Sequence, residues 1–197
     1  MRVLAAQARS EQPSARCAVL LPGAYDTPQA FLQGGFAAAV QRRQLPLDLY
    51  FAALELEHVN DRSMLERLRA EVVLPARARG CRSIWLGGIS FGGFLALLYA
   101  QRYSQDIDGL CLLAPYLGSR RTAPPIGDED EALWQFVKTG ANDLPVRLGY
   151  GAEDRFADRH RLLAAELPRE SVNIVHGGHD WPTWLLLWED FLQQWMP

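Results

Sequence analysis

Positive charge is not in excess in this chain of 197 residues: 20 Lys and Arg stand against 23 Asp and Glu, a net charge of −3. A nucleic-acid or anionic-lipid surface built on bulk basicity is therefore not expected. No apolar run approaches the roughly 18 residues that a membrane span needs. Internal repeats and low-complexity segments are missing too, which excludes a solenoid and a disordered chain. Cysteine is scarce. Cys17, Cys81 and Cys111 cannot all pair with one another, and each lies in or beside an apolar run. Buried thiols in a reducing, cytoplasmic setting are the expectation. The stretch from Met1 to Ala8 has one basic residue and an apolar segment broken by Gln7, a poor match to a secretory signal. No Cys/His cluster has zinc spacing, and no G-x-G-x-x-G follows a strand, so neither a metal nor an organic cofactor is expected.

What is present is an ordinary globular composition, 49% hydrophobic and 22% charged. The length suits one domain over 1–197. Short apolar runs alternate with amphipathic segments. Strands are expected at 17–21, 47–54, 83–86, 110–113, 146–150 and 172–175. Helices are expected over 28–43, 61–79, 91–103, 155–167 and 184–195. Thr27-Pro28 reads as an N-cap followed by proline at the first helical position, and Pro75 is expected to kink or end its helix. Segment 91–103 is almost wholly apolar and should be a central, buried helix. A Pro-, Gly- and charge-rich loop covers 118–128, and a short helix is expected from Asp128. Such βα alternation implies a parallel sheet covered on both faces, an α/β fold. Ligands on these sheets collect at the carboxyl ends of the strands, so chemistry is sought there.

Gly88-Ile89-Ser90-Phe91-Gly92 matches G-x-S-x-G between a predicted strand and a predicted helix. Such a turn would lift the Ser90 hydroxyl to the sheet edge, at a helix N-terminus that favours developing negative charge. A serine nucleophile needs a base. His58 lies in a loop among glutamates, and His160 is expected on a solvated helix. His176 and His179 both follow the sixth strand, and His179, after Gly177-Gly178, is preferred because that turn can carry an imidazole over the sheet edge. A carboxylate that orients the imidazole should follow the fifth strand, where Glu153 and Asp154 stand. Asp154 is preferred.

The order Ser90, Asp154, His179 at strand ends, with Gly177-Gly178-His179-Asp180-Trp181 near the close, resembles the α/β-hydrolase superfamily over about residues 17–197. The resemblance implies a mostly parallel sheet of about six strands with helices on both faces, minimal N-terminal strands and no large cap. It also implies an oxyanion hole built from the backbone N–H of Phe91 and of Ala24 in the Pro22-Gly23-Ala24-Tyr25 loop, with Tyr25 an alternative donor. Many relatives carry His-Gly where this chain has Pro22-Gly23. Segment 118–140 is the one candidate lid.

The implied function is a serine esterase or thioesterase acting on a small-molecule ester. Acyl transfer, C–C bond hydrolysis, or a binding protein that keeps the fold stand as alternatives. Tyr25, Tyr116, Trp134 and Trp181 are candidate pocket residues. Arg120 and Arg121 could meet an anionic group, although solvated loop charges are the plainer account of them.

Overall fold

In the computed structural model, the residues described are 1–7, 14–55, 63–117, 135–140 and 144–195. Their frame is a seven-stranded sheet: β1 (Val3–Ala6), β2 (Arg16–Leu21), β3 (Asp48–Ala52), β4 (Ser83–Ile89), β5 (Gly109–Leu113), β6 (Val146–Gly151) and β7 (Val172–Val175). The spatial order is β1-β3-β2-β4-β5-β6-β7. Every pairing is parallel except that of β1 with β3. Strands β3 and β5 are buried throughout and β2, β4 and β6 nearly so, which is why their sequences are almost unbroken apolar runs rather than alternating ones.

The sheet has one strand more than the sequence pattern suggested. The addition is β1, four residues at the antiparallel edge, with Val3 opposite Ala52 and Ala6 opposite Leu49. It is short and half-exposed, so it carries no strong apolar signal of its own.

The helices are α1 (Pro28–Gln33), α2 (Phe36–Arg42), α3 (Met64–Leu68), α4 (Leu74–Ala78), α5 (Phe91–Tyr103), α6 (Ala157–Ala164) and α7 (Trp181–Trp195). The segment expected as one helix over 28–43 is two. Gly35 takes a left-handed conformation, φ 85°, and begins a second helix in a new direction. The ring of Trp181 fills the space beside Gly34, where any Cβ would come within 2.3 Å of it. Pro75 does not end its helix. A π turn (Arg69–Val73) directly precedes α4, and Pro75 sits in that helix's first turn, where a missing N–H costs least. The expected helix start at 61, and the loop over 118–128 with the helix start at Asp128, lie outside the described residues.

Helix α5 packs on β4, β5 and β2, with Leu95, Ala96, Leu97, Tyr99 and Ala100 buried. Helix α7 packs on β5, β6 and β7 and against α2, and its Trp188 indole N–H donates to the carbonyl of Phe36 at 3.1 Å. No helix among the described residues is long and apolar enough to cross a membrane.

The expectation of buried thiols holds for Cys111 alone. Cys17 of β2 and Cys81, just ahead of β4, form a disulfide, their Cα atoms 6.1 Å apart. Parallel pairing of β2 with β4, which sets Cys17 opposite Ile84, brings together two residues 64 apart in the chain. The cysteines therefore give no support to a reducing compartment. Alkylation under denaturing conditions checks this: one thiol should react before reduction and three after. Three reacting without reductant would contradict the bridge.

Candidate active site

Ser90 sits in the tight connection between β4 and α5 with φ 52° and ψ −114°, a conformation that L-residues avoid and that persists only when the surroundings impose it. The constraints are visible. The Ser90 N–H donates to Leu113 of β5 at 3.0 Å, and the Ser90 carbonyl accepts from Tyr116 N–H at 2.8 Å and Phe94 N–H at 3.1 Å. Gly92 completes the turn. A Cβ there would lie 2.2 Å from the carbonyl oxygen of Leu21, so only glycine lets the start of α5 press against the end of β2.

The structure brings Ser90, His179 and Asp154 together. The imidazole Nε2 of His179 is 3.0 Å from Ser90 Oγ, and its Nδ1 is 2.7 Å from Asp154 Oδ2. An ionised carboxylate only accepts, so Nδ1 carries the proton and Nε2 is left to accept from the serine hydroxyl. The Asp154 side chain is fully buried and that of His179 is 9% exposed. Burial pushes the Asp154 carboxyl upward. The hydrogen bonds from His179 and from the Phe156 N–H, at 2.8 Å, outweigh it and hold the group below its ordinary value.

The loop that carries His179 is clasped on both sides. Glu153 accepts from His176 Nδ1 at 2.9 Å through one oxygen and from the Gly177 N–H at 2.5 Å through the other, and its own N–H donates to the Gly177 carbonyl at 3.0 Å. Thus His176 is exposed and paired with Glu153, away from Ser90. On the far side, Asp180 Oδ1 accepts from the Thr183 N–H at 3.0 Å and hydroxyl at 2.7 Å, capping α7. These bonds hold the Asp180 carboxyl below its usual range. The cap also explains why α7 starts at Trp181 and not at Trp184.

Ala24, in the loop after β2, is half-buried, and Phe91 opens α5. Among the described residues neither backbone N–H has a hydrogen-bond partner, as donors reserved for an external acceptor would be. Tyr25 is 97% exposed. Tyr116 is half-buried and belongs to a run of rings that pattern reasoning did not assemble. Phe91 meets Phe94 at 5.8 Å, Phe94 meets Tyr116 at 6.4 Å, and Tyr116 meets Phe156 at 5.7 Å. Phe156 then meets the His179 ring edge-to-face at 5.2 Å, with Trp184 against the same ring at 5.1 Å. The signal for Phe94 was its place one helical turn beyond Ser90, and for Phe156 two residues beyond Asp154. Trp181 stacks edge-on against Phe31, Phe36 and Trp184, as part of the packing under the histidine loop. Trp134 and most of 118–140 lie outside the described residues, which in that span include a π turn (Phe136–Gly140).

His160 corrects an expectation. It is fully buried, not solvated. Nε2–H donates to the Pro115 carbonyl at 2.9 Å, Nδ1 has no partner, and the ring lies 5.0 Å from Tyr150. Burial lowers its pKa. A cavity of about 460 Å³ lies elsewhere, at the amino ends of β2 and β3, lined by Ala6, Ser14, Val40 and Leu47 among others. Among the described residues no three His, Cys, Asp or Glu side chains are grouped to hold a metal ion.

A family model described as the alpha/beta hydrolase family matches residues 18–197. No curated protein sequence matches the chain. Among solved structures, FphF, a fluorophosphonate-binding serine hydrolase of Staphylococcus aureus, is similar with a TM-score of 0.76 and 11% identity, over 98% of this chain and 91% of that one. Est1E from Butyrivibrio proteoclasticus gives 0.69 at 15% identity, over 99% and 94%. The enterobactin esterase FES of Shigella flexneri gives 0.69 at 21% identity, over 99% of this chain but 56% of that one, so this chain spans about half of FES. At these identities the likeness is one of fold.

Because His160 has a folded pKa below an ordinary histidine value of about 6.5, its stabilising contribution is complete above that pH and is lost as pH falls through the lowered value. Melting temperatures between pH 7.5 and 5 should therefore fall more steeply for the wild type than for His160→Gln. Parallel curves would contradict the assignment.

Proposed function

Since the chain belongs to the alpha/beta hydrolase family, whose model matches residues 18–197, we propose that it is a serine hydrolase of carboxylic esters or thioesters, one domain over 1–197, working through an acyl-enzyme. Ser90 is the nucleophile, His179 the base, Asp154 the group that orients and stabilises the imidazolium, and the Ala24 and Phe91 N–H groups the oxyanion donors. The observation that carries this is the pair of contacts on one imidazole, 3.0 Å to Ser90 and 2.7 Å to Asp154. Folds shared with proteins named a serine hydrolase and an esterase are in keeping with it.

The steps follow from the geometry. Ser90 Oγ attacks the carbonyl carbon as its proton passes to His179 Nε2, and the carbonyl oxygen becomes an oxyanion facing the two N–H donors. Asp154, already ionised and buried against Nδ1–H, lowers the cost of the imidazolium. The tetrahedral intermediate then expels the alcohol or thiol, which takes the Nε2 proton. Water, deprotonated by the same nitrogen, attacks the acyl-enzyme and returns Ser90 to its free form. The strained φ of 52° keeps the hydroxyl in place throughout, so no rearrangement is needed at the moment of attack.

A fluorophosphonate probe should label Ser90, and Ser90→Ala should abolish both labelling and p-nitrophenyl acetate turnover, with kcat down by about 10⁴–10⁶. Asp154→Asn should lose roughly 10⁴ while leaving the serine in place. Undiminished turnover in the Ser90 variant would overturn the proposal.

A further inference from the structure

The group that leaves must lie beside His179, because Nε2 delivers its proton. What borders His179 on the β6 side is Phe156, edge-to-face at 5.2 Å. Over the face of Phe156 lies the guanidinium of Arg155, 5.0 Å from the ring centroid. Two ring-scale steps therefore connect the proton-donating nitrogen to a fixed, exposed cation.

The acids around that cation are already engaged. Asp154 serves His179 and the Phe156 N–H, Glu153 serves His176 and Gly177, and Asp158 pairs with Arg161 at 2.6 Å. Among the described residues Arg155 has no carboxylate partner, and its one recorded contact is the face of Phe156. A planar guanidinium over a ring face can still present an N–H edge, which suits two-pronged binding of a carboxylate or phosphate. The opposite side of the site has the other character. In the sheet order β2-β4-β5-β6, the β2 loop flanks Ser90 from the far side, and its acid is the half-buried Asp26. An anion is thus drawn to the β6 side and not toward the oxyanion loop.

We propose that Arg155, stacked on Phe156 beside His179, binds an anionic group on the alcohol or thiol half of the substrate, so that the preferred substrates are esters or thioesters with an acidic leaving group. The rings of Phe156 and Tyr116, edge-to-face at 5.7 Å, supply apolar walls between the scissile bond and that anion. This inference rests on the hydrolase proposal and extends it to a substrate class. The chemistry is shared by carboxylate and phosphate, and the binding site itself does not depend on the acyl group.

Matched substrates test it. 4-Carboxyphenyl acetate and 4-acetylphenyl acetate differ in charge at the far end of the leaving group. The wild type should prefer the anionic ester in kcat/KM, and Arg155→Gln should reduce the anionic-to-neutral ratio by about fivefold, the scale of an exposed ion pair. Arg155→Lys should restore part of the ratio, Arg155→Glu should invert it, and added salt should shrink it in the wild type but leave it unchanged in Arg155→Gln. Arg169→Gln, a surface arginine outside the site, should leave the ratio as it is. A ratio equal in wild type and Arg155→Gln overturns the inference while the Ser90 chemistry stands. If Ser90 turns over neither ester, calorimetry with 4-hydroxybenzoate and 4-hydroxyacetophenone decides it. Tighter binding of the anion that is lost in Arg155→Gln supports the site, and equal binding overturns it.

Discussion

A buried carboxylate is the constraint on which the site depends. Asp154 has no solvent, so its charge is tolerable only while both oxygens are satisfied: Oδ1 by the Phe156 N–H and Oδ2 by the imidazole. Displacing His179 would strand that charge, at a cost of several kcal/mol. The loops after β6 and β7 are thereby locked into one register. The remaining nitrogen of the same ring has a single direction left, toward Ser90. Position and chemistry have one cause here, since the bond that fixes the ring also fixes its tautomer.

Ser90 is held by a different mechanism. Its strained backbone is imposed by Leu113 at the end of β5, by Tyr116 in the turn after it, and by the close packing of Gly92 on Leu21. Seven strands, six of them in parallel register, put three loops from β4, β6 and β7 at one edge. The sheet therefore works as a rigid ruler.

Much of this was legible because it is written in local patterns. Segment 91–103 forms a helix with the bounds its sequence predicts, since an apolar helix after a Gly-rich turn leaves few alternatives. Ser90 and Asp154 stand out because each follows a buried strand, visible as an apolar run with glycine at its end, and His179 because Gly177-Gly178 follows the short apolar run of β7. The features that escaped depend on partners far along the chain. The break at Gly34-Gly35 needs Trp181, which no window on α1 contains. Burial of His160 comes from the Pro115 carbonyl and Tyr150, on two other strands' ends, while its own neighbours Arg159 and Arg161 look like a solvated face. The Cys17–Cys81 bridge depends on the pairing of β2 with β4. β1 is too short to show period or burial before its partner is known.

The central claim is that one imidazole joins Asp154 to Ser90 in solution. Proton NMR tests it most directly, because an Nδ1–H donated to a buried carboxylate is shifted far downfield and shielded from exchange. The account predicts one such resonance in the wild type, absent in His179→Ala and in Asp154→Asn. A spectrum without it, or a resonance that survives loss of the Asp154 carboxylate, would contradict the account.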